Sequence, residues 1–181
     1  FNGPGGHSYG AFGLVNPANA LASAIQGLAS IRVPSDPKTT YNVGTIGGGT
    51  SVNTIPASVW MEVDLRSEAA IELDRLDRAF VAVVGTAVEG ENRARSTTSG
   101  RISVDTTALG ARPSGLTSQR SPLVETAVIV TRQLGRTPTF GASSTDANWP
   151  MSLGIPAITV DTGAVGGRAH APDEWVDIDR R

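Results

Sequence analysis

Three parts of the chain carry apolar residues at helical spacing. Asn16-Pro17 predicts the start of the first helix, because asparagine caps a helix well and proline fits its first turn. Ser67 predicts the cap of the second helix, and Ser121-Pro122 predicts the start of a third that ends at Gly135. The apolar stripes are Leu21, Ala24, Ile25, Leu28 and Ile31, then Leu73, Leu76, Phe80, Val83 and Ala87, then Leu123, Val124, Ala127, Val128 and Leu134.

Alternating apolar and polar residues predict strands between these helices. The clearest is residues 59–66, an earlier one is residues 41–46 with a turn or bulge at residues 47–49, and a later one is residues 102–106. With the glycine-rich segment around His7 as the first strand, the order is strand, helix, strand, strand, helix, strand. That order predicts an α+β domain (βαββαβ) with two helices on one face of a four-stranded antiparallel sheet.

A break in composition at residues 110–122 predicts a domain boundary. We therefore expect a first domain over residues 1–110 and a second over residues 111–181. In the second, residues 155–160 are almost continuously apolar, which predicts a strand buried on both faces, as in a parallel α/β sheet. A glycine-rich loop, residues 163–167, follows it, and binding sites lie at such strand ends.

Composition narrows the classes of function. The 181 residues are 39% hydrophobic and 18% charged, which is compatible with a packed core. A net charge of -2 without a basic cluster gives no reason to expect a nucleic-acid partner, and no apolar run is long enough to cross a membrane. The absence of cysteine excludes disulfides and thiolate zinc sites. The chain begins at Phe1 rather than Met, so we expect that sequence precedes it; a soluble protein of the cytoplasm or periplasm fits equally well.

Both histidines lie in glycine-rich segments. His170, in GGRAHAPDEW, follows the predicted buried strand and could ligate zinc through a neutral ring nitrogen. The alternative is a histidine of a surface loop that bonds to nearby backbone. His7, in GPGGHSYG, has small neighbours that allow a ligand or another chain to approach. The alternative there is a solvated turn residue.

Two further polar residues could contact a substrate. Asn53, in GGGTSVNTIP, carries an amide that could bind a carbonyl or carboxylate, although an Asx turn before Pro56 would explain it equally well. Arg112, in ARPSG, lies at the predicted domain boundary and could bind a carboxylate at two points. A surface ion pair is the alternative for Arg112.

Two other classes of site are disfavoured. Ser144, Asp146 and His170 follow the chain order of an α/β-hydrolase triad, but no G-x-S-x-G segment surrounds the serine. The glycines also match neither of the common nucleotide-binding motifs.

Taken in order, several segments resemble the second half of the zinc aminopeptidase, aminoacylase and carboxypeptidase family. That family includes tripeptide aminopeptidase, acetylornithine deacetylase, succinyl-diaminopimelate desuccinylase and carnosinase. The resemblance covers nearly the whole chain. It rests on GPGGHSYG, GTIGGGTSVNTIPASVWMEVDLRSE, RPSG, SSTDAN and LGIPAITVDTGAVGGRAHAPDEWV.

The resemblance implies a role for each candidate residue. His170 would be the family's C-terminal metal ligand, and His7 the lid histidine that stabilises an oxyanion in the partner subunit's site. Asn53 would contact substrate across the dimer, and Arg112 would hold a substrate carboxylate. The loop that contains Gly166 would lie against the substrate backbone. The implied protein is a homodimeric hydrolase with two zinc ions per subunit, acting on an amide bond of a peptide or N-acyl amino acid.

The resemblance also implies residues that this chain lacks. The family's His-x-Asp motif, bridging aspartate, Glu-Glu pair and further acidic ligand normally precede the lid, and none is found here. We therefore expect a dimerisation lid joined to the last part of the catalytic domain, inactive and weakly zinc-binding on its own. The alternative is a non-catalytic dimerisation or small-ligand-binding module, in which both histidines are incidental.

Overall fold

The computed structural model describes residues 1–178, and the chain divides into two compact units, Phe1–Ala111 and Arg112–Arg181. The elements of the first unit are β1 (Gly6–His7), α1 (Pro17–Ala29), β2 (Thr39–Gly48), β3 (Thr54–Ile55), β4 (Val59–Ser67) and α2 (Ala70–Ala94). The elements described in the second unit are α3 (Pro122–Gln133), α4 (Asn148–Ser152), β5 (Gly166–Gly167) and β6 (Trp175–Val176).

Helix α1 begins where the sequence predicts. The Asn16 side chain accepts a hydrogen bond from the Ala18 N–H at 2.9 Å, and Pro17 takes the first helical position. One face of the helix is buried, as the apolar spacing requires, and it contributes Ala20, Leu21, Ala24 and Leu28 to the interior of the unit.

Strands β2 and β4 form a long antiparallel hairpin. Tyr41 lies opposite Leu65 and Gly48 opposite Val59, with one irregularity between Val43 and Thr45. The prediction of a turn or bulge at residues 47–49 is therefore wrong for Gly47 and Gly48, which belong to the strand. Glycine is required there for other reasons: a Cβ on Gly47 would overlap the indole of Trp60, and Gly48 has a φ of +112°.

The first unit has small antiparallel sheets rather than one regular four-stranded sheet. β1 pairs with β3 and β2 pairs with β4. Beside β4, Asn2 forms isolated bridges to Ser58 on one side and Ser103 on the other. The mixed α/β class is confirmed, whereas the continuous four-stranded sheet is not.

Helix α2 closes the core of the first unit. It begins at Ala70, so the prediction that Ser67 caps it is wrong. The Ser67 hydroxyl instead accepts the Ala69 N–H at 3.1 Å and bonds the Thr39 hydroxyl at 2.9 Å, which keeps Ser67 at the end of β4. The buried core joins both helices to β4 and to residue 102, and its members are Phe1, Val15, Ala20, Leu21, Ala24, Val59, Val84, Ala87, Val88 and Ile102.

The second unit matches its prediction at the helix and not at the strand. The Ser121 hydroxyl accepts the Val124 N–H at 3.3 Å, and α3 begins at Pro122 as predicted. Residues 155–160 form no strand, and Ile155 and Val160 are 55% and 68% exposed. A strand requires a neighbour to pair with, and the described part of this unit offers none to that segment. None of the helices within residues 1–178 combines the length and the apolar character needed to cross a bilayer.

Candidate functional site

The first unit brings His7 and Asn53 together. β1 and β3 pair so that His7 lies opposite Thr54, and the Ser8 N–H donates to the Asn53 carbonyl at 2.9 Å. The chain reaches β1 through Gly5 and Gly6, whose φ values of +69° and +156° a larger residue would rarely adopt. Two candidates 46 positions apart in sequence therefore lie on neighbouring backbone segments.

The His7 imidazole is fixed by the turn that follows it. Its Nδ1 accepts hydrogen bonds from the Tyr9 N–H and the Gly10 N–H, both at 3.3 Å. The His7 carbonyl accepts the Ala11 N–H at 2.8 Å. The residue is exposed, so the rest of the ring is accessible.

Asn53 lies in a tight polar turn. Its Oδ1 accepts the Ser51 hydroxyl at 2.6 Å, and the same hydroxyl is 2.7 Å from the Thr54 Oγ1. The Thr54 N–H donates to the Ser51 carbonyl at 3.2 Å. These contacts orient the Asn53 amide, and the side chain remains exposed.

Three large apolar side chains close in sequence to this pair are exposed, and the sequence analysis did not single them out. Tyr9 is 90% exposed, Phe12 is 85% exposed and Val52 is fully exposed. All three lie in the turns that hold His7 and Asn53. Apolar residues within glycine-rich polar turns were the signal available in the sequence. Exposed apolar side chains of this size are typical of a surface that another molecule covers.

In the second unit, Arg112 binds the segment that contains Ser144 and Asp146. Its guanidinium donates to the Ser144 carbonyl at 3.1 Å and lies 3.4 Å from both the Ser144 hydroxyl and an Asp146 carboxylate oxygen. Ser144 therefore faces a guanidinium, which cannot act as a base. The Asp146 carboxylate is fully exposed, so this ion pair contributes little to stability. Another carboxylate could therefore replace Asp146 on the Arg112 guanidinium.

Asn148 is a residue that the sequence analysis missed. Its Oδ1 accepts the Thr145 N–H at 2.8 Å, and its Nδ2 donates to the Pro113 carbonyl at 3.0 Å. It thereby connects the chain next to Arg112 with the chain next to Asp146. The signal in the sequence was its position at the end of SSTDAN.

Gly166 and His170 lie in the hairpin of β5 and β6. Gly166 pairs with Val176, and a Cβ on it would lie 3.0 Å from the Trp175 carbonyl oxygen. In the turn, Arg168 and His170 have φ values of +64° and +65°, which are uncommon for residues with side chains. The His170 N–H donates to a Glu174 carboxylate oxygen at 3.2 Å, and the residue is exposed. Backbone strain of this kind clusters at functional sites.

The ligand set for zinc is incomplete within residues 1–178. That stretch contains no group of three His, Asp or Glu side chains close enough to hold a metal ion. A catalytic zinc site takes about three protein ligands per ion. The described residues therefore do not fit a complete site, and the assignment of His170 as one ligand stays a prediction.

Comparison with known proteins identifies the family. Residues 1–92 match the family described as "Peptidase dimerisation domain". The chain therefore belongs to the peptidase dimerisation domain family, and the resemblance found in the sequence is confirmed. No curated protein matches the chain.

Two solved structures share the fold over 96% of the chain. One is the aminopeptidase PepT from Bacillus cereus ATCC 10987, with 25% identity and a TM-score of 0.63. The other is a tripeptidase from Staphylococcus aureus subsp. aureus Mu50, with 20% identity and a TM-score of 0.71. The chain covers 44% and 43% of those structures, so it spans less than half of their length.

Proposed function

We propose that the chain is the C-terminal portion of a zinc-dependent peptidase or amidohydrolase that hydrolyses an amide bond in a peptide or N-acyl amino acid. Residues 1–110 would be its dimerisation lid, and residues 111–181 the last part of its catalytic domain. The family match supports the first assignment, and the likeness to an aminopeptidase structure over 96% of the chain supports the second.

The exposed apolar surface of the second unit also supports this assignment. Among the residues described beyond 111, Val124 alone is a buried hydrophobic residue. Large side chains that would normally form a core are more than half exposed, namely Ile129, Leu134, Phe140, Trp149, Leu153, Ile155 and Val160. Such a surface is expected of a segment that packs against further α/β structure. Residues 155–160 would then gain the neighbouring strand that they lack here.

The proposed roles follow the placement of the side chains. His7 would donate a hydrogen bond to the oxyanion that develops on the substrate in the partner subunit, and Asn53 beside it would bind the same substrate. Their adjacency across β1 and β3 is the observation that carries this proposal. Arg112 would hold a substrate carboxylate, Gly166 would lie against the substrate backbone, and His170 would ligate zinc.

The homodimer would form through the lid. β2 (Thr39–Gly48) pairs only with β4 among the described residues, so its outer edge carries unpaired backbone groups beyond Thr39, whose N–H donates to the Pro34 carbonyl. Ile46, at the end of that edge, is 57% exposed. A long edge strand is a ready template for pairing with another strand, and a second copy of the lid supplies an identical one.

The expected dimer can be tested with charge. Glutamates in place of Asn42 and Thr45, which lie opposite Asp64 and Glu62 of β4, would bring like charges together if β2 pairs with its own copy, and we expect the double variant to be monomeric by light scattering. Gln119→Glu with Gln133→Glu adds the same charge in the second unit and should leave the dimer intact. A dimer that survives the β2 substitutions would contradict this interface.

We further infer that the lid sheet has four strands in the order β2, β4, residues 1–3 and residues 102–104. Backbone hydrogen bonds support that order. Phe1 and Val59 exchange two at 2.9 and 3.0 Å, and Asn2 and Ser103 exchange two at 2.8 and 2.9 Å. Residues 1–3 and residues 102–104 pair through isolated bridges, so neither segment counts as a regular strand.

The function is tested in the longer protein. We expect it to hydrolyse di- and tripeptides or N-acyl amino acids, to lose that activity with a chelator, and to lose it with His170→Ala. Its sequence before Phe1 should contain a His-x-Asp motif and a Glu-Glu pair. If these are absent and no substrate is hydrolysed, the alternative is favoured, in which the chain is a dimerisation or ligand-binding module without a catalytic site.

A further inference from the structure

His7 bonds to the turn of residues 8–13 in the way that an N-cap bonds to the first turn of a helix. Its carbonyl accepts the N–H of Ala11, four residues on, at 2.8 Å, as in the first turn of an α-helix. Its side chain accepts the N–H groups two and three residues on, those of Tyr9 and Gly10, at 3.3 Å. An N-cap satisfies these same donors, which the turn itself leaves without partners. An imidazole here takes the part usually played by serine or asparagine.

This arrangement decides which ring nitrogen carries the proton. A neutral imidazole has one N–H and one nitrogen with a lone pair. Because two N–H groups point at Nδ1, that nitrogen must supply the lone pair, and a proton on it would face both donors. In the neutral ring, these two contacts favour the tautomer with the proton on Nε2.

We propose that the backbone amides of Tyr9 and Gly10 are positioning groups that hold His7 as the Nε2–H tautomer. The exposed nitrogen is then a hydrogen-bond donor and offers no lone pair to a metal ion. The family's lid histidine would work in this form, as a neutral donor aimed out of the turn. The tautomer rests on the turn alone; only the identity of the group that Nε2–H binds rests on the proposed function.

The two backbone amides fix the direction of the outward donor of His7. An oxyanion is stabilised best by donors whose direction is fixed before the charge develops. Two backbone amides on Nδ1 fix the ring at one end, so Nε2 points away from the turn without relying on a second side chain. In this role the Nε2 proton stays on the ring, and no bond is made or broken.

Two substitutions separate the two ring nitrogens. His7→Asn places an amide oxygen close to the position of Nδ1, so it can cap the turn but has no outward donor. His7→Gln carries an amide N–H2 close to the position of Nε2, so it can donate outward but caps the turn poorly. The pair therefore divides positioning from donation.

The first test uses nitrogen-15 NMR on the 181-residue chain at about pH 8.5, where an ordinary histidine is neutral. We expect the ring nitrogens of His7 to show a nearly pure Nε2–H tautomer, and a peptide of residues 4–10 to show a larger share of the other. Amide exchange at Tyr9 and Gly10 should stay as slow in His7→Asn as in the unchanged chain and become faster in His7→Gln. The proposal would be overturned by a His7 tautomer ratio equal to that of the free peptide. It would also be overturned if the exchange rates of the Tyr9 and Gly10 amides were unchanged in His7→Gln.

The second test measures kcat in the longer protein. We expect His7→Asn to lower kcat by about 10²- to 10³-fold although the turn is intact, and His7→Gln to keep more of it. If His7→Asn retains kcat and the NMR result is as expected, His7 has no catalytic role and the tautomer assignment still holds. Loss of the NMR signature would remove the tautomer whatever the kinetics show.

Discussion

At the scale of single residues, Asn92 is a buried polar side chain that the sequence analysis did not select. Its Nδ2 donates to the Ile102 carbonyl at 3.0 Å, and its Oδ1 accepts the Ile102 N–H at 2.8 Å. It thereby pairs with one residue as a strand would, and it attaches the segment around residue 102 to the end of α2. A buried amide with both groups hydrogen-bonded stabilises the fold, because its loss leaves two backbone groups without partners.

We expect Asn92→Ala to lower the free energy of unfolding by about 2 to 4 kcal/mol, because both Ile102 groups lose their partner in a buried environment. Urea denaturation measures this change. Arg93→Ala, at the exposed neighbouring position, is the matched control and should change stability by less than about 0.5 kcal/mol. Equal effects of the two substitutions would show that Asn92 is not a stabilising link.

The sequence indicated which residues to watch but not how they interact. The glycines around His7 and the polar residues before Asn53 were visible, yet the bonds from Tyr9 and Gly10 to Nδ1 depend on a turn closing. In the same way, Ser144 and Asp146 stand in the chain order of a triad that the missing G-x-S-x-G segment disfavours, but the order did not predict their contact with Arg112. The sequence shows the chemical type of each side chain, but the path of the folded chain determines which groups that side chain contacts.

At the scale of elements, local signals predicted two helix starts out of three, and they could not predict pairing with distant parts of the chain. Asn16-Pro17 and Ser121-Pro122 predicted two helix starts because a cap bonds to its own first turn. The prediction that Ser67 caps α2 was wrong, because the Ser67 hydroxyl bonds to Thr39 across the hairpin. The prediction of a strand over residues 155–160 was wrong, because a run of apolar residues does not show whether a neighbouring strand is present.

The packing of α1 on α2 depends on a glycine. A Cβ on Gly27 would lie 2.6 Å from the Val83 Cγ1, well inside van der Waals contact. Val83 belongs to the predicted apolar stripe of α2, and a β-branched side chain has little freedom to move away. The close approach of the two helices therefore requires the absence of a side chain at residue 27.

We expect Gly27→Ala to destabilise the chain by about 1 to 2 kcal/mol, because the overpacking outweighs the better helix propensity of alanine. Adding Val83→Ala should restore part of that loss. Gly85→Ala, in α2 with nothing within 4 Å of its Cβ, should instead stabilise by about 0.5 to 1 kcal/mol. Thermal denaturation compares the three, and a stabilising Gly27→Ala would show that the helices are not tightly apposed.

At the scale of the whole molecule, the described parts of the two units differ in how many apolar side chains they bury. The first has a buried core that joins both helices to β4, whereas the described part of the second has most of its large apolar side chains exposed. The family match covers residues 1–92 of the first unit, and the solved structures extend well beyond this chain. These differences support the proposal of a whole lid and a partial catalytic domain.

We expect the 181-residue chain to bind zinc weakly and to hydrolyse no peptide. His170 is its single proposed ligand, and a catalytic site takes about three ligands per ion. Calorimetric titration with zinc, with His170→Ala as the control, measures the affinity, and a tripeptide assay measures turnover. Tight stoichiometric binding together with turnover would contradict the proposed division of the site.

The most direct test of the central claim is to mix two inactive variants of the longer protein. In His7→Ala the proposed zinc ligands remain, and in His170→Ala the lid histidine remains. If His7 serves the partner's site, half of randomly mixed dimers contain one complete site, and about a quarter of the original activity should return. A mixture as inactive as its components, with exchange of subunits demonstrated, would contradict the claim that His7 acts across the dimer.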